Sequence, residues 1–166
     1  VTPAIAYYRN VEAYKDVFSP NRFPYANSIE ELFDFIGTLQ ELSGKPVGMK
    51  IVISDMQNIE PYAKEIKRRV DLGIDAYPDY ITLDSGSGGS ATAPLEMMER
   101  VGLNVRDSVY LVNKVLTDYG VRDKVRIVAS GKILTPDDII IVMSLGADFL
   151  QIARGFMMSA GCIRAR

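Results

Sequence analysis

VRIVASGKILTPDDIIIVMSLGADFLQIARGFM, residues 125–157, decides the fold class. Val125 to Ser130 is a short run of β-branched and small residues, the pattern of a strand covered on both faces. It leads through Gly131 and Lys132 to Thr135, a good helix cap, with Pro136 next, where a missing N–H costs nothing. A helix is then expected to end at Gly146, and a second strand, from about Asp148 to Ala153, runs into Arg154-Gly155 and a short apolar helix. Strand, helix and strand in that order form a parallel pair with its crossover.

The same alternation extends upstream. From Ser28 the sequence SIEELFDFIGTLQELSG carries Ser28 and Glu31 in capping-box spacing, apolar residues at Leu32, Phe35, Ile36, Leu39 and Leu42, and Gly44 as a stop. After Lys45-Pro46, VGMKIVI reads as a strand ending near Ser54, followed by a helix from about Asn58 to Leu72. Strand DYITLD, Asp79 to Asp84, opens a Gly- and Ser-rich loop. PLEMMERVG then offers Pro94 for a first helical turn, and a longer helix runs from about Val105 to Tyr119, stopped by Gly120. The first 27 residues, with Pro20 and Pro24, read as an irregular lead-in. Four strand–helix units leave two architectures: an open doubly wound sheet, or four units of a (β/α)8 barrel with raw edges that need the other half.

Composition narrows the chemistry. With 166 residues, 48% hydrophobic and 24% charged, the chain is one domain or a piece of one, read as a single segment 1–166. A net charge of −2, from 19 basic and 21 acidic residues, argues against nucleic acid as a partner. The absence of histidine removes His-based triads and His-ligated zinc from this segment. A single cysteine, Cys162, forms no internal disulfide, and nothing resembles a secretory signal, so the expected location is the cytoplasm. Membrane insertion is not expected, because Asp137, Asp138, Asp148 and Arg154 interrupt the longest apolar runs.

In parallel α/β folds, ligands bind at the carboxyl ends of the strands, so the loops there hold the candidates. The Asp84–Pro94 loop contains Gly88 and Gly89, which permit close backbone approach to a ligand; a plain long turn explains them nearly as well. Ser130-Gly131-Lys132 and Arg154-Gly155 follow consecutive strands. Glycine turns with a neighbouring cation and a short helix suit a phosphate, whereas the bland alternative is two solvated charges and two ordinary turns. Lys50 stands inside an apolar strand. Its ammonium must reach either water at an edge or a polar pocket, since burial without a partner is too costly. Asp84, at a strand end, is either a general acid or base or a loop cap.

At these residues a resemblance emerges. DYITLDSGSGGSATAPLEMMERVGLNVRDSV (79–109) and VRIVASGKILTPDDIIIVMSLGADFLQIARGFMMSAGCIRAR (125–166) closely resemble the FMN-binding domain of the glutamate synthase large-subunit family; SPNRFPYANSIEELFDFI and GKPVGMKIVIS resemble the part before it. The likeness spans essentially the whole chain, and ASGK, ARGFM and the final GCI are its most specific motifs.

The resemblance implies an α/β fold of the parallel (β/α)8 TIM-barrel type, with this chain as its carboxyl-terminal half. It implies an oxidoreductase of glutamate biosynthesis: reduced FMN gives a hydride to 2-iminoglutarate, made from 2-oxoglutarate and ammonia. By matching motif, Ser130, Gly131, Lys132, Arg154 and Gly155 would hold the flavin phosphate, Gly88 and Gly89 would line the flavin and substrate side, and Lys50 would stand by the flavin ring and the keto acid as cofactor-binding and catalytic residue. Implied partners are the rest of the barrel, a glutaminase, an NADPH or ferredoxin electron-donor subunit, and further copies in an oligomer.

Cys162 by itself is most often a small core residue. The family places the first ligand of a [3Fe–4S] cluster in this GCI context, with the next cysteine six positions on, past Arg166. Two departures from the family pattern stand out. The usual GGTGAAP-like loop is here Gly89-Ser90-Ala91-Thr92-Ala93-Pro94, without a glycine at 91, and Ser54-Asp55 follow Lys50 at an unfamiliar spacing for contacts to the 2-oxoglutarate carboxylates. Competing readings are another phosphate-binding barrel enzyme, of the IMP dehydrogenase or FMN-dependent isomerase kind, and a non-catalytic flavin-binding subunit.

Overall fold

The computed structural model describes residues 1–18, 23–86 and 101–161. Its elements in chain order are α1 (Pro3–Arg9), α2 (Ile29–Ser43), β1 (Met49–Ile51), α3 (Met56–Leu72), β2 (Tyr80–Asp84), α4 (Val105–Asp118), β3 (Arg126–Ser130), α5 (Pro136–Ser144), β4 (Phe149–Gln151) and α6 (Arg154–Ser159). The four strands form one parallel sheet in the order β1-β2-β3-β4. Each crossover therefore steps the same way across the sheet. A doubly wound sheet reverses direction at its switch point; the described strands do not, which is consistent with a half-barrel.

Right-handed crossovers in a single direction put the helices on one face. Helix α3 packs on α4, and α4 on β2, β3 and α5. Ile81, Leu83, Ile127 and Ala129 are sealed among them. The alternate residues point the other way: Lys50, Thr82 and Val128 share one register row, and Asp84, Ser130 and Gln151 the next. This second face bears the candidate site.

Local signals account for most helix ends. The Ser28 hydroxyl accepts from Glu31 N at 3.1 Å, and Thr135 forms a reciprocal capping box with Asp138. Gly120, with φ of 70°, turns the chain out of α4. Three expectations need correction. The lead-in is not wholly irregular, since Thr2 caps α1 and Pro3 opens it. On α2 the sealed residues are Phe33 and Ile36, while Leu42 is 80% exposed, because the side of α2 that meets α3 carries Phe33. Phe35 instead stacks on Tyr25 and meets Phe23. Strand β1 is shorter than VGMKIVI, because only its β2 side is paired. The predicted helix at Pro94 lies outside the described residues.

Opposite the site, at the strand starts, two aspartates perform the same task. Asp79, just before β2, accepts Val47 N at 2.7 Å and Gln40 Nε2 at 2.8 Å. Asp148, just before β4, accepts Ile127 N at 2.7 Å and Arg122 Nη2 at 2.8 Å. Each stitches the start of its own strand to the strand before it.

Candidate functional site

Strands β1 to β4 finish on one rim, and the residues singled out in separate loops meet there. Lys50, Ser130, Gly131, Lys132 and Arg154 line a single cavity of about 280 Å³. Pairing of β3 with β4 matches Ser130 with Gln151, so the turns that follow these strands are neighbours on the same rim.

Gly131 is required for this arrangement. Its φ is 133°, outside the range of L side chains, and a β-carbon on it would fall 1.9 Å from Ser85 Oγ. The next residue, Lys132, also has a positive φ, 44°, an uncommon state for a residue with a side chain. This turn is braced from behind. The Asp138 carboxylate accepts from Leu134 N at 3.2 Å, Thr135 N at 3.0 Å and the Thr135 hydroxyl at 2.8 Å, and pairs with Arg106 at 2.8 Å. The Arg106 guanidinium and these donors hold the Asp138 carboxyl well below the usual carboxylate range.

Gly155 does not line the cavity. A β-carbon on it would lie 3.2 Å from Ile152 Cγ2, a tight fit, and in ordinary contact with Ile133 O and Leu134 O at 3.7 and 3.8 Å. Helix α6 is six residues long, and its N-cap residue, Ala153, gives it no side-chain cap.

Lys50 combines both fates expected of a strand lysine. Its strand is at the end of the sheet, its side chain is 58% exposed, and its ammonium lies 2.7 Å from Asp84 Oδ2. Asp84, 31% exposed, is thus a cavity residue with a cationic partner. Gln151 also lines the cavity. It was missed in the sequence although strand alternation from Phe149 could have found it, two residues on and at the strand's carboxyl end.

Ser54 and Asp55 are engaged elsewhere. Asn58 Oδ1 accepts from both of their N–H groups, at 2.9 and 3.2 Å, and Asp55 caps α3 by accepting Asn58 N. Gly88, Gly89 and Cys162 lie outside the described residues. Among the described residues no group of three or more acidic or Cys side chains could hold a metal ion, and no helix is long and apolar enough to cross a membrane.

Comparison with known proteins gives the family. Residues 1–166 match the family described as a conserved region in glutamate synthase. The chain is 39% identical over 165 residues to the glutamate synthase large subunit-like protein YerD of Bacillus subtilis, covering 99% of this chain and 30% of that protein. It is 32% identical over 164 residues to the archaeal-type glutamate synthase (NADPH) of Thermotoga maritima, covering 98% and 31%. With the archaeal glutamate synthase (NADPH) of Methanocaldococcus jannaschii it shares 30% identity over 165 residues, covering 98% and 30%. The chain therefore spans under a third of the length of these relatives. On the full-length family match and these identities, the chain belongs to the glutamate synthase family.

Proposed function

We propose that the full-length protein makes L-glutamate from 2-oxoglutarate and ammonia as an FMN-dependent oxidoreductase, and that this chain is the carboxyl-terminal half of its FMN-binding (β/α)8 barrel. One observation carries the reading: four residues of two phosphate-like turns and an isolated strand lysine converge on one cavity at the carboxyl ends of parallel strands.

The cavity suits a flavin phosphate. Lys132 and Arg154 bring two positive charges, matching a dianion, and the Arg154 fork can grip two phosphate oxygens. At Gly131 the missing side chain lets the turn after β3 pack against Ser85, which holds Ser130 and Lys132 at the cavity. Gly155, next to Arg154, is assigned to the phosphate on the strength of its motif. Gly88 and Gly89, in the loop after β2, are assigned to the flavin and substrate side on the strength of their motif.

Bound FMN, when reduced, supplies the hydride that converts 2-iminoglutarate to glutamate. The chain's own part is position and charge. Lys50, at the far side of the cavity from β4, offers an ammonium for a substrate carboxylate and for the electron-rich reduced ring. Cys162 is assigned as one ligand of a [3Fe–4S] cluster, on its GCI context alone. Among the described residues nothing pairs with the outer edges of β1 and β4, and these edges, with exposed Phe149 and Phe156, fit the other half of the barrel. A glutaminase, an NADPH or ferredoxin donor subunit and oligomer formation complete the proposed set of partners, in the cytoplasm.

The test uses the full-length protein. A flavin absorption spectrum that bleaches on reduction, together with glutamate formed from 2-oxoglutarate and ammonium, is expected. Protein without flavin, or with flavin but no glutamate under any reductant, overturns the proposal.

A further inference from the structure

We infer that Asp84 is a specificity-determining residue that recognises a cationic nitrogen on C2 of the substrate, working with Lys50 to seat an amino-acid or imino-acid head group. The inference deepens the proposed function and rests on it.

Asp84 is the single carboxylate among the described residues that line the cavity, whose cations are Lys50, Lys132 and Arg154. With the latter two assigned to phosphate, the acceptor end is left with one positive and one negative group, held 2.7 Å apart. The register places Asp84 beside Ser130 and Gln151 on the face away from the helices, at the strand's last residue. Among the described residues its carboxylate partner is Lys50.

A neutral ion pair is a poor receptor for a keto acid alone. The C2 oxygen of 2-oxoglutarate only accepts hydrogen bonds, and so does an ionised carboxylate; facing each other they repel. An iminium or ammonium nitrogen at the same carbon donates N–H and carries positive charge. An α-amino or α-imino acid head group can therefore open the pair and replace one ion pair by two, its nitrogen against Asp84 and its C1 carboxylate against Lys50. Charge is balanced before and after. The keto acid offers only half of this exchange, so the imino acid formed from it is held more tightly.

The full-length flavoprotein is titrated with L-glutamate and with (S)-2-hydroxyglutarate, which has a hydroxyl in place of the ammonium, and binding is read from the flavin absorption change. In the unmodified protein glutamate should bind at least about tenfold more tightly. Asp84→Asn should bring that ratio near one by weakening glutamate, while 2-hydroxyglutarate binds as before or more tightly because Lys50 is released. Asp84→Glu should restore part of the preference. Equal affinity for the two acids in the unmodified protein overturns the assignment, whether or not the variants fold. So does Asp84→Asn protein that keeps its flavin and loses both acids together, the mark of a purely structural role. Failure to retain flavin at all in the unmodified protein defeats the proposed function itself, and this assignment falls with it.

Discussion

A β-carbon on Gly131 would fall 1.9 Å from the hydroxyl oxygen of Ser85, and Ser85 N donates to Ser130 O at 3.0 Å just before it. The turns after β2 and β3 are thus locked together at a point where only glycine fits. Gly131→Ala should destabilise the protein by about 2–4 kcal/mol, from a φ no L residue favours plus the contact with Ser85. Thermal unfolding and bound flavin in the full-length protein check this; unchanged values for both would show that the turn can be rebuilt.

Arg154→Ala should leave folding nearly intact and weaken FMN retention by about tenfold or more, the effect of losing one charge-assisted contact to a phosphate. Equilibrium dialysis of the flavin measures it. Unaltered affinity would remove Arg154 from the phosphate site.

Lys50→Met should spare flavin content and lower glutamate formation by about two orders of magnitude, if its ammonium stabilises charge in the transition state. Steady-state rates at saturating 2-oxoglutarate, beside the flavin spectrum, separate these effects. A fully active variant would make Lys50 a structural residue.

Acid sensitivity should trace partly to Glu65. Its carboxylate bonds Arg68 at 2.6 Å and the buried Arg69 at 2.7 Å, and Arg69 reaches Glu30 O and Ala76 O, tying α3 to α2. The hydrogen bond from Arg68, opposed by burial and reinforced by Arg69, lowers the Glu65 pKa. A carboxylate with a depressed folded-state pKa stabilises fully above its unfolded pKa, and that contribution fades as pH falls through the folded value. Glu65→Gln should therefore cost about 2 kcal/mol near neutrality, and the gap in melting temperature from the unmodified protein should narrow in acid below about pH 4. A gap constant with pH would assign the loss to packing.

The strand–helix order, the caps at Ser28 and Thr135 and the turns at Gly131 and Arg154 were legible because each depends on residues a few positions apart. Lys50 was conspicuous for a local reason as well, a charge inside an apolar strand. What stayed hidden depends on distant partners. Arg69 looks like a surface residue of a polar helix, yet it is 2% exposed, because the Glu30 carbonyl and the Phe33 ring from α2 receive it. The pairing of Lys50 with Asp84 follows from the register of β1 on β2, which no single segment encodes. Phe33 took the place of Leu42 for a related reason: an amphipathic helix with apolar residues on more than one side leaves its neighbour to choose the buried one.

The aspartates that stitch the sheet stand where its strands begin, and the cavity opens where they finish. Chemistry and assembly are therefore exposed to different mutations. A library randomised at Asp84 and Gln151 should diversify in the products it forms while nearly all members remain recoverable, whereas one randomised at Asp79 and Asp148 should thin out in yield long before any survivor changes its selectivity.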